Sequence, residues 1–546
     1  MEQERLNSLM ATLQEQFESG KLHINSKETL ESMLKVRYKP DGVNVEPTSV
    51  DSNVRALALG VLLTKQNEHY LSIPLKESQE EYFKVLDLFF EVPFKEMQKK
   101  GGNPHLIAIS MSQKPSMVKA FIEDFVHLEQ GLREFWDYYA PVVNAHIRHL
   151  KGIKSVYGGD IFPSYTQNIA HNVGLYVDTI ILPDPLLRTS TFFNKMPPEK
   201  ALYYFAKHAL NALQYKELAL ADVENPIIII SPDEMYLDDT IAKLIDRSSQ
   251  ENVVSHLNKV FGTSFKTEEE FDQYLETILT SNELIQTIKN PKRVLFDTDW
   301  EDTPESQISQ WQTDSNHDFG DYFRDIPIGG QFKFSILGRM MQTNDIVIRS
   351  TKFGGSPLID APTSWQYLLW KYEYDLERAK ENDQDIKIML VSNSLTKINF
   401  NMIGKLTDQA IINLRRENAL HDLRDLIAKG IKDIGEATDE TFKEVTDEVF
   451  KTLSNAFDSH QKQIEDLSLM KKKFFGWDLT SMLVSGGLSI AAASTGNPLL
   501  STLAASSTAL FGAPSAKEVI TKASQIRDGH QKIFKSPVGI LIKNSK

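Results

Sequence analysis

Apolar and polar positions alternate along the chain in three regimes. Residues 1–150 read as mostly helical. Residues 54–64 make an apolar helix core, and over 80–98 Phe83, Leu86, Phe89 and Phe90 share one side. Gly101-Gly102-Asn103-Pro104 is a break. A short strand is expected over 105–110, then a helix over 116–139 that is interrupted before Pro141.

From about residue 151 runs rich in Ile and Val alternate with helical patterns. Residues 177–183 read as a strand, 198–221 as a helix and 226–231 as a second strand, and Pro197-Pro198 suits a first helical turn. Strand, crossover helix and strand make a βαβ unit, which pairs its strands in parallel with both faces buried. A β-pair is expected at 332–337 and 345–350, flanked by Gly329-Gly330 and Gly354-Gly355. An aromatic helix follows over 364–381, and a last strand over 386–391.

After about residue 400 no strand is expected. Leu420, Leu423, Ile427, Ile431 and Ile434 form one helical stripe, and Phe442, Val445, Val449, Leu453 and Phe457 form another. Gly435 and the acidic run after it mark the turn between them, and an antiparallel helical bundle is the natural outcome. The predicted fold is therefore an α/β core with a partly parallel sheet (151–400). A mainly helical N-terminal region (1–150) precedes it, and an all-α C-terminal domain (401–546) follows.

Composition changes that picture in two places. The formal charge of −14, from 60 Lys and Arg against 74 Asp and Glu, is unevenly spread. Acidic residues gather at 297–325, which reads as an exposed loop. The tail 517–546 carries seven basic residues against two acidic ones. Between 479 and 516 there is no charge, and 24 of these 38 residues are Ala, Gly, Ser or Thr. Thr495-Gly496-Asn497-Pro498 divides the stretch into a small-residue apolar hairpin. Lys471-Lys472-Lys473 with Phe474, Phe475 and Trp477 precede it, as an element at a membrane interface would require. Eight serines and four threonines favour burial against 405–470, or docking on a partner protein, over insertion.

Zero cysteines exclude disulfides, thiolate nucleophiles and thiolate-ligated zinc or iron–sulfur sites. The N-terminus is an amphipathic helix start without a leader pattern, which points to a cytoplasmic protein, and the net acidity gives no indication of nucleic-acid binding. There is no P-loop, since Gly404-Lys405-Leu406 lacks both the upstream glycine and the hydroxyl residue. No G-x-G-x-x-G follows a strand, and no H-E-x-x-H, G-x-S-x-G or H-R-D occurs. His127-Leu128-Glu129 matches part of a deaminase signature whose cysteine pair cannot exist here.

One constellation carries chemistry. The two βαβ strands end in Leu182-Pro183-Asp184 and Ser231-Pro232-Asp233-Glu234, and parallel strands present such ends on one carboxyl edge. Asp184, Asp233 and Glu234 are thus the candidate catalytic and metal-ligating residues. Their oxygens suit Mg²⁺ or Mn²⁺, with His171 and His208 as proton carriers. Pro-Asp at a strand end is equally turn and N-cap chemistry, and Asp178 belongs at the opposite edge. His146 and His149 lack an identifiable third ligand, and the aromatics of 365–374 suit a core better than base stacking.

Two functions follow. The first is a non-enzymatic interaction or regulatory protein. Its segment 405–516 engages a partner protein or another copy, and 471–516 contacts a membrane surface. The alternative is a divalent-metal-dependent hydrolase or nuclease built on the three carboxylates.

Overall fold

The computed structural model describes residues 2–465, except 25, 167, 194–195, 314–325, 381–405, 419–420 and 438–440. The expected strand at 386–391, the hairpin at 479–516 and the basic tail lie outside the described residues. In chain order the helices before the sheet are α1 (Glu2–Glu18), α2 (Lys27–Leu34), α3 (Ser52–Ser72), α4 (Leu75–Lys100), α5 (Pro104–Ser112) and α6 (Pro115–His149). The middle runs β1 (Lys154–Tyr157), α7 (Ala170–Val173), β2 (Thr179–Pro183), α8 (Pro185–Phe193), α9 (Pro198–Leu213), α10 (Lys216–Ala219) and β3 (Ile228–Ser231). There follow α11 (Glu234–Leu237), α12 (Asp239–Phe261), α13 (Glu268–Leu275), α14 (Ser281–Thr287), α15 (Pro304–Thr313), α16 (Ile328–Phe353), β4 (Ser356–Leu358) and α17 (Pro362–Lys380). The last described helices are α18 (Asp408–Arg416), α19 (His421–Glu436) and α20 (Phe442–Glu465).

The protein is mostly helical around a small parallel sheet of order β3-β2-β1-β4. The predicted βαβ unit is present: β2 and β3 pair in parallel, with Ile181 opposite Ile229, and α9 lies between them in sequence. All four strands are buried along their length, as the Ile runs of β2 and β3 demand. The outer edge of β3 is closed by a side chain. Gln79 of α4 donates to the Ile230 carbonyl at 3.0 Å and accepts from its amide at 2.8 Å, taking the place that another strand would occupy at that residue.

Three sequence expectations are corrected. Residues 105–110 belong to helix α5, which Asn103 caps through the Leu106 amide after Pro104 at the first turn. α6 runs through Pro141 without a break, because its buried face, including Phe135, Trp136, Tyr139 and Val143, continues on both sides of the proline. The expected β-pair of 332–337 and 345–350 is part of one helix, α16. Phe332, Ile336, Met340 and Thr343 recur at helical spacing and are buried, and this outweighs the β propensity of Ile346-Val347-Ile348.

A large core surrounds the sheet and includes the α4–α6 aromatics, α9 and the apolar stripes of α18–α20. A second, helical core joins α12, α13, α16 and α17 around Phe271, Phe332, Tyr367 and Trp370. The acidic stretch holds helix α15, whose Ile308 and Trp311 are buried in that core. Among the described residues no helix is long and apolar enough to cross a membrane.

The C-terminal helices are fastened to the sheet's entrance. The Arg415 guanidinium of α18 donates to the Val177 carbonyl at 2.6 Å and the Asp178 carbonyl at 2.8 Å. Arg424 of α19 pairs with the Asp178 carboxylate at 2.9 Å, and that carboxylate also accepts from the Ile153 amide at 2.8 Å. Asp178 thus sits at the entrance of β2, as expected.

Candidate functional site

The carboxyl edge of the sheet collects the side chains expected from the sequence, together with cations the strand ends gave no hint of. Asp184 follows β2 and is wholly buried. Its carboxylate accepts from the Trp136 indole at 2.6 Å, the Tyr82 hydroxyl at 3.0 Å and the Leu186 amide at 3.0 Å. Burial pushes its pKa up to about 6, against the opposing pull of these hydrogen bonds.

Asp233 follows β3 and caps α11 through the Met235 amide. Arg188 of α8 grips the same carboxylate in a fork, Nε at 2.5 Å and Nη2 at 2.6 Å. That Nη2 also reaches Asp345 of α16 at 3.0 Å. Arg349, one turn further along α16, donates twice to Asp345, each at 2.9 Å, and once to the Tyr157 carbonyl at 3.1 Å. Two acids and two guanidinium groups therefore form one neutral buried cluster that ties α8, α11 and α16 to the end of β1. Burial works to raise the Asp345 carboxyl, yet Arg349 and Arg188 together hold it below the usual carboxylate range.

Glu234 accepts from the Asn144 amide at 2.6 Å and pairs with Lys352 at 2.7 Å. Each of the three predicted carboxylates thus faces protein donors. Among the described residues no group of three or more His, Asp or Glu is arranged to hold a metal ion. His171 is bonded to Asp408 of α18 at 2.7 Å. The His208 ring is held neutral, its pKa lowered to about 3 by burial and by neighbouring Lys207. His146 bonds the Ile73 carbonyl at 2.8 Å while His149 is exposed, so the pair does not converge. Trp365, Tyr367, Trp370, Tyr372 and Tyr374 are all buried.

The sequence pointed to the carboxyl edge but missed two of its four strands. With order β3-β2-β1-β4, the chain steps from β1 to β2 to β3 in one direction and then crosses back to place β4 on the other side of β1, and open α/β sheets bind ligands outside the carboxyl ends at such a reversal. The loops there follow β1 and β4, not β2 and β3. Gly158 approaches so closely that an added Cβ would lie 2.5 Å from the Ile346 Cβ, and Gly159 adopts φ +82°. Ser364 of α17 donates to the Gly159 carbonyl at 2.7 Å. Asp360, just past β4, accepts from the Tyr157 hydroxyl at 2.9 Å and the Ser164 amide at 3.1 Å. Burial pushes the Asp360 carboxyl up, and nearby Asp160 adds to that. The available signal was the Gly158-Gly159-Asp160 triplet directly after a short apolar run.

Comparison of the chain with known protein families, with curated proteins and with solved structures finds no significant match to any of them.

Proposed function

We propose that this chain is a cytoplasmic, non-enzymatic interaction or regulatory protein whose C-terminal helices engage a partner protein, another copy of the chain or a membrane surface. The observation that carries the reading is the groove between α19 and α20. It encloses about 480 Å³ and has Leu426, Gly430, Ala437, Val445 and Val449 on its floor and Lys429, Asp433, Glu436 and Glu448 on its rim. Gly430 lets α19 and α20 pack closely, since an added Cβ would lie 2.7 Å from the Val449 side chain, and the groove beside that contact would seat a third helix whose register the charged rim would fix. The engagement of Asp184, Asp233 and Glu234 by protein donors supports the same reading, since it gives these acids a structural role.

The test uses the full chain and a Leu426→Glu/Val445→Glu variant. Light scattering on a sizing column and flotation with anionic liposomes are compared for the two. The full chain is expected to self-associate or float, and the charged groove is expected to reduce that behaviour at least severalfold. A full chain that stays monomeric and remains in the soluble fraction, just as the variant does, overturns the reading.

A further inference from the structure

Beside the loop that leaves β1 lies a lysine in an unusual setting. Lys207 of α9 is half-buried, with its ammonium 5.0 Å from the centre of the Tyr165 ring, 5.8 Å from Tyr203 and 5.9 Å from Tyr204. The other well-covered lysines described have oxygen partners. Lys352 has Glu234, Lys333 has Glu268 and Asp272, Lys371 has Asp375, and Lys154 has the Ile147 carbonyl. Among the described residues Lys207 makes no hydrogen bond or ion pair; its contacts are aromatic faces.

The rest of the cluster is suited to moving a proton. His105 of α5 bonds the Tyr203 hydroxyl through Nδ1 at 2.8 Å and stacks on Tyr165, with centroids 5.6 Å apart. Asn211, one turn beyond Lys207, donates to the Pro163 carbonyl at 2.6 Å and so fixes α9 against the loop that carries Tyr165. We propose that Lys207 is a reactive amine that captures a planar aldehyde or ketone as an imine at the carboxyl edge of the sheet, with Tyr203 and His105 as its proton relay.

The chemistry balances within these residues. The uncharged amine attacks the carbonyl carbon, the C–N bond forms, the carbonyl electron pair moves onto oxygen, and one of the two protons on the new ammonium passes to that oxygen. Tyr203 then protonates the hydroxyl as the C–O bond breaks and water leaves, and the second nitrogen proton returns through His105 to Tyr203, which leaves the neutral imine. Burial lowers the Lys207 pKa, although Asp160 pulls the other way, and so enlarges the uncharged fraction. The Tyr203 hydroxyl is pushed up to about 12 by burial and by Tyr204 and Tyr165, so it keeps its proton until called on. Flat tyrosine faces favour a planar ligand through offset or edge contacts. This inference goes beyond the interaction reading and stands independently of it.

The experiment is reductive trapping on the full-length protein. Pyridoxal and cyanoborohydride are applied at pH 7.5, and modified lysines are quantified by peptide mass mapping. Lys207 is expected to label at least severalfold faster than exposed Lys243 and Lys429, because burial among the tyrosine rings leaves more of it as free amine. Lys207→Arg removes that label without changing the circular dichroism. Tyr203→Phe slows labelling at Lys207 and narrows its pH profile, which a merely structural tyrosine would not do. Labelling of Lys207 no faster than the two exposed lysines overturns the proposal. Equal preference for propionaldehyde and pyridoxal overturns the planar-ligand part.

Discussion

Replacing Arg188 by Met tests whether the carboxyl edge is held together by its charge cluster. The Arg188 side chain is 10 % exposed and its two acidic partners are 1 % and 0 % exposed, so solvent screens little of the interaction. Arg188 and Arg349 balance Asp233 and Asp345; without Arg188 the cluster holds one uncompensated negative charge. Asp345 would retain Arg349, whereas Asp233 would keep only its cap to the Met235 amide. Leaving one member of a buried pair without its counter-charge costs about 3–5 kcal/mol, and Met preserves most of the apolar stem, so packing adds little. A second variant, Arg188→Met with Asp233→Asn, removes the orphaned charge and keeps an acceptor that caps α11 well. Its expected cost is about 1–2 kcal/mol, the desolvation of one imperfectly bonded amide. Urea unfolding followed by tryptophan fluorescence reads both, because Trp136 is bonded to Asp184 at the same edge. A single variant that loses under about 1 kcal/mol, or a double variant no more stable than the single, refutes the reasoning.

Two further perturbations probe other parts of the argument. His256 lies between the Tyr374 hydroxyl at 2.8 Å and the Arg293 carbonyl at 3.0 Å, and burial and Arg293 depress its pKa to about 3. A carbonyl only accepts, so Nε2 carries the proton of the neutral ring. The folded value lies below the unfolded one of about 6.5. The stabilisation is therefore complete above pH 6.5 and fades as pH falls, by about 1.4 kcal/mol per pH unit. In urea midpoints taken from pH 7.5 to 4.5, His256→Gln should show a shallower decline than the parent; identical slopes would discard this account. Gly158→Ala should cost about 1–3 kcal/mol by driving Cβ into Ile346, whereas Gly60→Ala, with nothing within 4 Å, should be neutral or slightly stabilising. Equal melting temperatures for the two variants would show that the close approach at Gly158 is unimportant.

What the residue pattern announces depends on how much chain each element has in which to announce itself. The βαβ strands are legible because Thr179–Pro183 and Ile228–Ser231 sit in longer apolar runs that stop at Pro183 and Pro232. β1 and β4 have four and three residues, too few for a period, and β4 includes a proline. Without them the reversal of strand order is hidden in the sequence, and only the ends of β2 and β3 stand out. α16 reads as a β-pair for the opposite reason: its glycines resemble turn signals, and its burial on several sides blurs the helical stripe into continuous apolar runs. The structural partners of the three acids were not legible at all. Arg188 lies 45 residues from Asp233 and 157 from Asp345, Trp136 lies 48 from Asp184, and Lys352 lies 118 from Glu234. No local pattern encodes those separations.

The clasp at the entrance of β2 has a consequence for how the chain is made. The carbonyls of Val177 and Asp178 receive their donors from Arg415, 238 and 237 residues later. At about 5–20 residues per second, the ribosome needs tens of seconds to deliver that arginine after β2 has emerged. Throughout that interval the central strands lack two of their final hydrogen bonds, so the sheet can be assembled but not sealed. Completion of the fold is thereby coupled to arrival of the C-terminal helices, and a chain interrupted before residue 415 would leave the entrance of its central sheet open to chaperones and proteases.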